Sequence, residues 1–281
     1  MNFYQQHAII TGGSSGIGKA VAHLLASEGA DISIIARDQT KLEVAKAEIE
    51  AVRKRQDQRV VAISADVTNQ AQVEQAIDAV IDQIGPPDLL ITSAGIAHPG
   101  YFQDLPIEVF ERTMAINYFG SLYCIRAILT VMEQRRQGHI VLISSGAGLI
   151  GIYGYTPYCP TKFALRGLAE SLRGELKVAG ICISIVYPPD TDTPQLEQEN
   201  KTKPLETKMI TSTAKTWSAE SVAREIVRGI QKKKFSITPG IEMTLLTRLH
   251  SLLAPGLNWY FDQIVAKTIF QKKLLKNSIS K

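Results

Sequence analysis

Seven short, almost uninterrupted apolar runs alternate with longer stretches of helical periodicity, and this rhythm constrains the fold more than any other feature. The runs are His7–Thr11, Asp31–Ala36, Arg59–Asp66, Asp88–Thr92, His139–Ser144, Ile181–Tyr187 and Phe235–Thr238. A strand buried on both faces reads as a continuous apolar run, whereas a half-exposed strand alternates. The stretches between them, Gly16–Ser27, Gln39–Gln56, Asn69–Ile84, Ile107–Arg136, Tyr158–Val178 and Ala219–Lys232, predict helices. Strand and helix in strict alternation imply βαβ units with right-handed crossovers. The expected fold is therefore α/β, a Rossmann-type doubly wound, seven-stranded parallel sheet with helices on both faces.

Such a sheet needs one domain of about 250 residues, so residues 1–240 are expected to form it. Two regions break the rhythm. Residues 188–218 follow the sixth strand and are polar and rich in Pro and Thr. Ligands sit at that end of an open α/β sheet, so a lid or substrate loop is expected there. Residues 241–281 lie beyond the last strand and predict a helical extension.

The loop after the first strand reads Thr11-Gly12-Gly13-Ser14-Ser15-Gly16-Ile17-Gly18 and opens a helix. Gly12 permits the turn. Gly16 lets backbone approach a pyrophosphate, and Gly18 lets the helix pack on the strand. Free N–H groups of the helix start, Ser14, Ser15 and Ile17 among the loop residues, then face the phosphates. The same stretch also satisfies G-x-S-x-G, the nucleophile elbow of hydrolases. That elbow normally needs an oxyanion loop from an earlier strand, and no strand precedes this one.

The second strand ends in Ala36-Arg37-Asp38, with Lys41 one turn on. An acid at this place accepts from a ribose 2′-OH, whereas Arg37 and Lys41 suit a 2′-phosphate. The reading favours NADPH/NADP+, with Asp38 as the residue that argues the other way. Asp66 ends the third strand, where it can hold the adenine amine or cap the next helix.

Tyr158 and Lys162 are four apart at a helix start, hence on one face. Pro160 between them is tolerated in a first turn. Ser145 ends the fifth strand, and Asn117 lies inside the long helix that begins near Ile107. Carbonyl reduction moves a hydride to carbon and a proton to oxygen. A tyrosine of ordinary pKa, about 10, becomes a useful acid or base when a neighbouring Lys⁺ lowers it. Ser145 can donate to the substrate oxygen as charge grows there. Lys162 can hold a nicotinamide ribose, and Asn117 can anchor a water that relays protons to it. Alone, each has an ordinary alternative: Ser145 as a cap, Asn117 as a buried polar residue.

Together these residues resemble the short-chain dehydrogenase/reductase family, over nearly the whole of residues 5–240. The resemblance rests on the glycine loop, Asp66-Val67, Asn117, Ser145 and Tyr158-x-x-x-Lys162. The family's Asn-Asn-Ala-Gly appears as Thr92-Ser93-Ala94-Gly95, with Ala94 and Gly95 matching and both Asn side chains replaced. The resemblance implies that Val67, Ala94 and Gly95 join the cofactor site. Within the family, Tyr187 to Pro194, Glu199 to Thr207, Ala36-Arg37 and Lys162-Phe163-Ala164 are similar to the members that reduce 3-keto sphingoid bases. In those members Pro188-Pro189 replaces the usual Pro-Gly, and Thr191 and Thr193 then fall against the nicotinamide amide and the diphosphate. The implied substrate is a hydrophobic long-chain ketone. Another hydrophobic ketone, a steroid or a 3-oxoacyl thioester, and a non-enzymatic NADP-binding sensor are the alternatives.

The net charge of +4 is too small to argue for nucleic acid, and the 3 Cys are odd in number and widely spaced, which points to a reducing compartment. The five His have no partner at a zinc spacing, so no metal site is expected. Eukaryotic members of the subgroup carry an N-terminal hydrophobic anchor, and this chain starts almost at its first strand. A cytoplasmic protein, peripheral on the membrane face, is the expectation. Family resemblance suggests a homodimer or homotetramer through the two long helices. In the tail, Leu257, Phe261, Ile264, Val265 and Ile269 recur at helical spacing beside Lys267, Lys272, Lys273, Lys276 and Lys281, with Trp259, Tyr260 and Phe261 suited to a membrane interface. This reads as a membrane-surface helix or as a face packed on the body or a second subunit.

Overall fold

The computed structural model describes residues 3–212 and 215–279, the last eight of them as backbone only. β1 (His7–Thr11), α1 (Gly16–Ser27), β2 (Asp31–Ala36), α2 (Gln39–Glu50), β3 (Val60–Ser64), α3 (Gln70–Ile84) and β4 (Leu89–Thr92) form the first half. α4 (Ile107–Met114), a π turn (Ala115–Phe119) and α5 (Gly120–Arg135) run on as one helix. β5 (Gly138–Ile143), α6 (Cys159–Lys177) and β6 (Ile181–Val186) follow. Next come β7 (Thr191–Asp192), α7 (Pro194–Thr202), α8 (Leu205–Thr211), β8 (Trp217–Ser218), α9 (Ala219–Gln231), β9 (Ser236–Ile237) and α10 (Ile241–Ile279).

The sheet is the expected parallel, seven-stranded one, in the order β3-β2-β1-β4-β5-β6-β9. Its order reverses between β1 and β4, which opens a crevice at their carboxyl ends. Apolar residues cover both faces. Val21, Leu25, Leu42 and Ile226 pack on one side, and Ile77, Ile125, Ile128 and Leu165 on the other. The central strands are buried on both faces, which is why they read as continuous apolar runs.

One expectation needs correction, and two others gain detail. The helix expected over Gln39–Gln56 stops at Glu50. Gln58, fully buried, accepts from Lys54 and Arg55 N–H and donates to the carbonyls of Ala26 and Ala30. Its amide satisfies the backbone that a longer helix would have used. The segment 188–218 is not an open loop, since it holds α7, α8 and the small β7–β8 ribbon. In the tail, Leu257, Phe261, Ile264 and Val265 turn inward and are half-buried, whereas Ile269 is exposed. α10 packs against α8, and its non-helical residue Leu249 bends it onto the body. Leu252, Leu253, Trp259, Tyr260 and Phe270 stay exposed. The side chains of Lys272, Lys273, Lys276 and Lys281 lie outside the described residues. The helix of Ile107–Arg135 is long and apolar enough to cross a membrane by length and composition alone. Its inner face packs on α3 and β5 in the core.

At the opposite end of the sheet from the crevice, two histidines are buried. His7 Nδ1–H donates to Gly85 O (2.7 Å), which leaves Nε2 to accept from the Ser33 hydroxyl. Ser184 donates to Lys234 O, so His139 Nε2 must be the donor to Ser184. Burial lowers both imidazoles to about 4. Between that value and 6.5 the unfolded chain binds the extra protons, so stability falls as pH drops through this window. The expected loss by pH 5 is roughly 2 kcal/mol per histidine. Urea unfolding at pH 7.5 and pH 5 measures it, and His139→Gln is expected to flatten the slope.

Candidate active site

The crevice is built from the carboxyl ends of β1, β4, β5 and β6. Two adjoining clefts share Gly12, Ser15, Ala94 and Gly95. The first runs along α1's N-terminus to Ser145, Tyr158, Lys162, Pro188, Thr191 and Thr193. The second runs toward Ser14, Arg37, Asp38, Lys41 and Val67.

The glycine loop is shaped by contacts that a Cβ would break. Gly12 has φ +67°, and a Cβ there would meet the Ala94 nitrogen at 2.8 Å. At Gly18 a Cβ would meet Gly12 O at 2.5 Å, so this glycine serves packing as expected. Ser15 precedes α1 without capping it through its side chain, and the first turn holds no acid. The helix start thus keeps donors and positive dipole for an anion. Where the Asn side chains are replaced, Thr11 Oγ1 accepts from Ala94 N–H (3.3 Å), and the Thr92 hydroxyl is buried with no hydrogen-bond partner among the described residues.

At the second cleft Asp38 is the N-cap of α2. It accepts from Lys41 N–H (3.1 Å), with Lys41 Nζ 3.8 Å away. Arg37 is exposed and makes no ion pair among the described residues. Asp66 lines neither cleft. Its Oδ1 accepts from the backbone and hydroxyl of Thr68, and Asn69 instead caps α3.

Tyr158 and Lys162 open α6 on one face, with Pro160 in the first turn. Lys162 is 5% exposed, its Nζ 5.3 Å from the Tyr158 ring centroid and donating to Ile143 O (3.0 Å). Burial lowers it to about 8. Tyr158 departs from the expected lowered value. Burial and the Glu199 carboxylate push it above an ordinary phenol, against hydrogen bonds from Ser145 and Gln195 that favour the phenolate. Lys162 points to the Ile143 carbonyl, and loss of water around the ring prevails. Tyr158 therefore stays protonated, the form a proton donor needs. Ser145 caps a single 3-10 turn, accepting from Ala147 N–H (3.2 Å).

Asn117 is 1% exposed and lines neither cleft. The π turn aims its amide at the β4 loop, where Oδ1 accepts from Ile96 N–H (2.8 Å) and Nδ2 donates to Ile96 O and Thr161 Oγ1 (both 3.0 Å). Thr161 in turn donates to Tyr158 O (2.7 Å). Asn117 thus ties the glycine-95 loop to the start of α6.

Sequence reading missed Gln195, Glu199 and Tyr155, all of which line the first cleft. Tyr155 donates to Glu199 Oε2 (2.6 Å), and Gln195 to Glu199 Oε1 (2.8 Å). The i,i+4 pair Gln195–Glu199 was visible, but its inward face was not.

The profile described as short chain dehydrogenase matches residues 6–204. The chain belongs to the short-chain dehydrogenase/reductase family. It is an oxidoreductase acting on CH–OH/C=O. It is 44% identical over 250 residues to the 3-ketodihydrosphingosine reductase of Bos taurus, covering 89% of this chain and 75% of that one. It is 42% identical over 268 residues to the 3-dehydrosphinganine reductase of Danio rerio, covering 94% and 81%. Among solved structures, a short-chain dehydrogenase/reductase from Burkholderia phymatum in complex with NAD aligns at TM-score 0.78 and 23% identity, over 90% of this chain and 97% of that one. Levodione reductase aligns at 0.75 and 25%, over 84% and 95%. The cradle described above fits the family's nicotinamide dinucleotide: a glycine turn with no room for side chains, an uncapped helix start, and a cleft on each side.

Proposed function

We propose that this chain reduces the ketone of 3-ketodihydrosphingosine to dihydrosphingosine with NADPH. The observation that carries the chemistry is Tyr158, buried and held protonated on the wall of a cleft it shares with Ser145 and Lys162. The substrate is taken from the relatives named above.

A bound reduced nicotinamide supplies the hydride. Tyr158 gives its proton to the ketone oxygen, and Ser145 Oγ–H donates to the same oxygen as its charge grows. The Lys162 ammonium favours the tyrosinate left behind. Gly12, Ser14, Ser15, Gly16, Ile17, Ala94 and Gly95 would hold the dinucleotide, with Val67 beside the adenosine half. Pro188, Thr191 and Thr193 would close over the nicotinamide half. Thr193 reaches the glycine loop, since a Cβ on Gly16 would meet its Cγ2 at 3.1 Å. Asp66, bonded to Thr68, is the weakest member of the proposed set. Arg37 and Lys41 would take the 2′-phosphate, and Asp38 is spent as a cap.

The exposed aromatic face of α10 is the part proposed to rest on the cytoplasmic surface of a membrane, the source of so apolar a substrate. Self-association through the long helices is proposed with it.

The test follows NADPH oxidation with 3-ketodihydrosphingosine in detergent micelles. Turnover is expected with NADPH and weakly with NADH. Arg37→Ala should raise KM for NADPH roughly tenfold to a hundredfold and leave KM for NADH alone, because a charge-assisted phosphate contact is worth about 1.5–3 kcal/mol. Turnover of other ketones only would refute the substrate.

A further inference from the structure

Glu199 has no place in the proton transfer above, and by its charge it opposes the phenolate of Tyr158. Yet it is 8% exposed and lines the same cleft as Ser145, Tyr158 and Gln195. Its two oxygens are held by neutral donors, Tyr155 OH and the Gln195 amide. No Lys, Arg or His comes within 4.0 Å of it among the described residues. Two ammonium groups stand near without contacting it, and Lys162 feels its charge. Lys162 Nζ donates to Ile143 O, and Lys203 Nζ stands 6.0 Å over the Tyr155 ring.

A carboxylate taken out of water without a cation is costly, and removing such a charge from a fold is often neutral or stabilising. Here it is oriented at both oxygens, and each oxygen has lone-pair capacity beyond the one donor that holds it. Such an arrangement suits a cationic donor carried by the ligand. Gln195 fixes where that donor must sit relative to the reacting carbonyl. Its side chain bonds Glu199, and both residues line the cleft of Ser145 and Tyr158, near enough for each to shift the Tyr158 hydroxyl. The cation is therefore placed beside the ketone, not at the far end of the chain. In a 2-amino-3-ketone the nitrogen and the ketone oxygen are separated by only two carbons.

We propose that Glu199 selects the substrate by pairing with the ammonium adjacent to its ketone, with Tyr155 and Gln195 holding the carboxylate in place. This rests on the substrate class proposed above and adds the group that distinguishes an amino ketone from other long-chain ketones.

The test compares 3-ketodihydrosphingosine with the 1-hydroxy-3-ketone of equal chain length that lacks the amine, in the same micelles. The unsubstituted chain should prefer the amino ketone by roughly tenfold or more in kcat/KM, the range of a charge-assisted hydrogen bond. Glu199→Gln keeps the shape and removes the charge. It should lose about 10- to 100-fold in kcat/KM on the amino ketone and change little on the deamino ketone, so the preference collapses. Glu199→Asp should retain part of the preference. A variant that lowers both ketones alike would make Glu199 a structural or Tyr158-directed residue and overturn the assignment. Equal use of both ketones by the unsubstituted chain would overturn it without any variant. No turnover of either ketone by that chain would instead overturn the substrate reading itself, and this assignment with it.

Discussion

Tyr158→Phe is expected to lower kcat by roughly 100- to 10,000-fold, the usual contribution of a positioned general acid. That corresponds to about 3–5 kcal/mol of transition-state stabilisation. The loss should appear in kcat and kcat/KM together, because the proton moves only as the carbonyl is reduced. NADPH binding, followed by its fluorescence, should be unchanged, since only one oxygen is removed. The neighbouring Tyr155 is not a substitute. Its hydroxyl donates to Glu199 at 2.6 Å, and burial together with that carboxylate pushes it still further from ionisation. Its proton is committed to the carboxylate, whereas Tyr158 meets Ser145 and Gln195 in the open cleft. Tyr155→Phe should therefore leave most of the chemical rate. A kcat within tenfold of the unsubstituted value for Tyr158→Phe would refute Tyr158 as donor.

Gly12→Ala is expected to destabilise the fold by about 2–5 kcal/mol and to weaken NADPH binding by more than tenfold. Two costs add. A non-glycine residue at φ +67° costs about 1–2 kcal/mol. The new methyl would also meet the Ala94 nitrogen at 2.8 Å and the Ala94 Cα and Ser93 carbonyl carbon at 2.9 Å. All three are backbone, so relief means moving the β4 loop, at a cost of roughly 1–3 kcal/mol. That loop is held by Thr11 and by Asn117, so the shift would reach the cradle and the start of α6. Gly167→Ala is the control. Gly167 lies exposed inside α6 with nothing within 4 Å of its missing Cβ. It should stabilise by about 0.5–1 kcal/mol, as helix propensity alone dictates. Thermal unfolding of the pair measures both signs at once.

The parallel sheet was legible because its central strands are buried on two faces and so show as apolar runs with no alternation. α1 was legible to the residue, since a glycine turn and a following helix are local properties of the chain. The end of α2 was not. Propensity continues past Glu50, and what stops the helix is Gln58 bonding to Ala26 and Ala30 of a distant turn. The π turn in the long helix was hidden for the same reason, because it answers to Ile96 and Thr161. The lid's polar composition suggested a loop, and its short helices carry little periodicity of their own.

The sequence by itself determined the sheet, the dinucleotide cradle and the presence of Ser145, Tyr158 and Lys162, since these depend on local periodicity, glycine conformation and spacing within one helix. Only the tertiary structure decided what surrounds them. It turned Asp38 into a cap, Asn117 into a tie between two loops, and half of the tail's apolar residues onto the body. It also buried Glu199 beside Tyr158 from a helix that reads as polar and solvated. Burial and charge placement arise from segments far apart in the chain, and they set whether a carboxylate is a surface residue or the recognition group of a site.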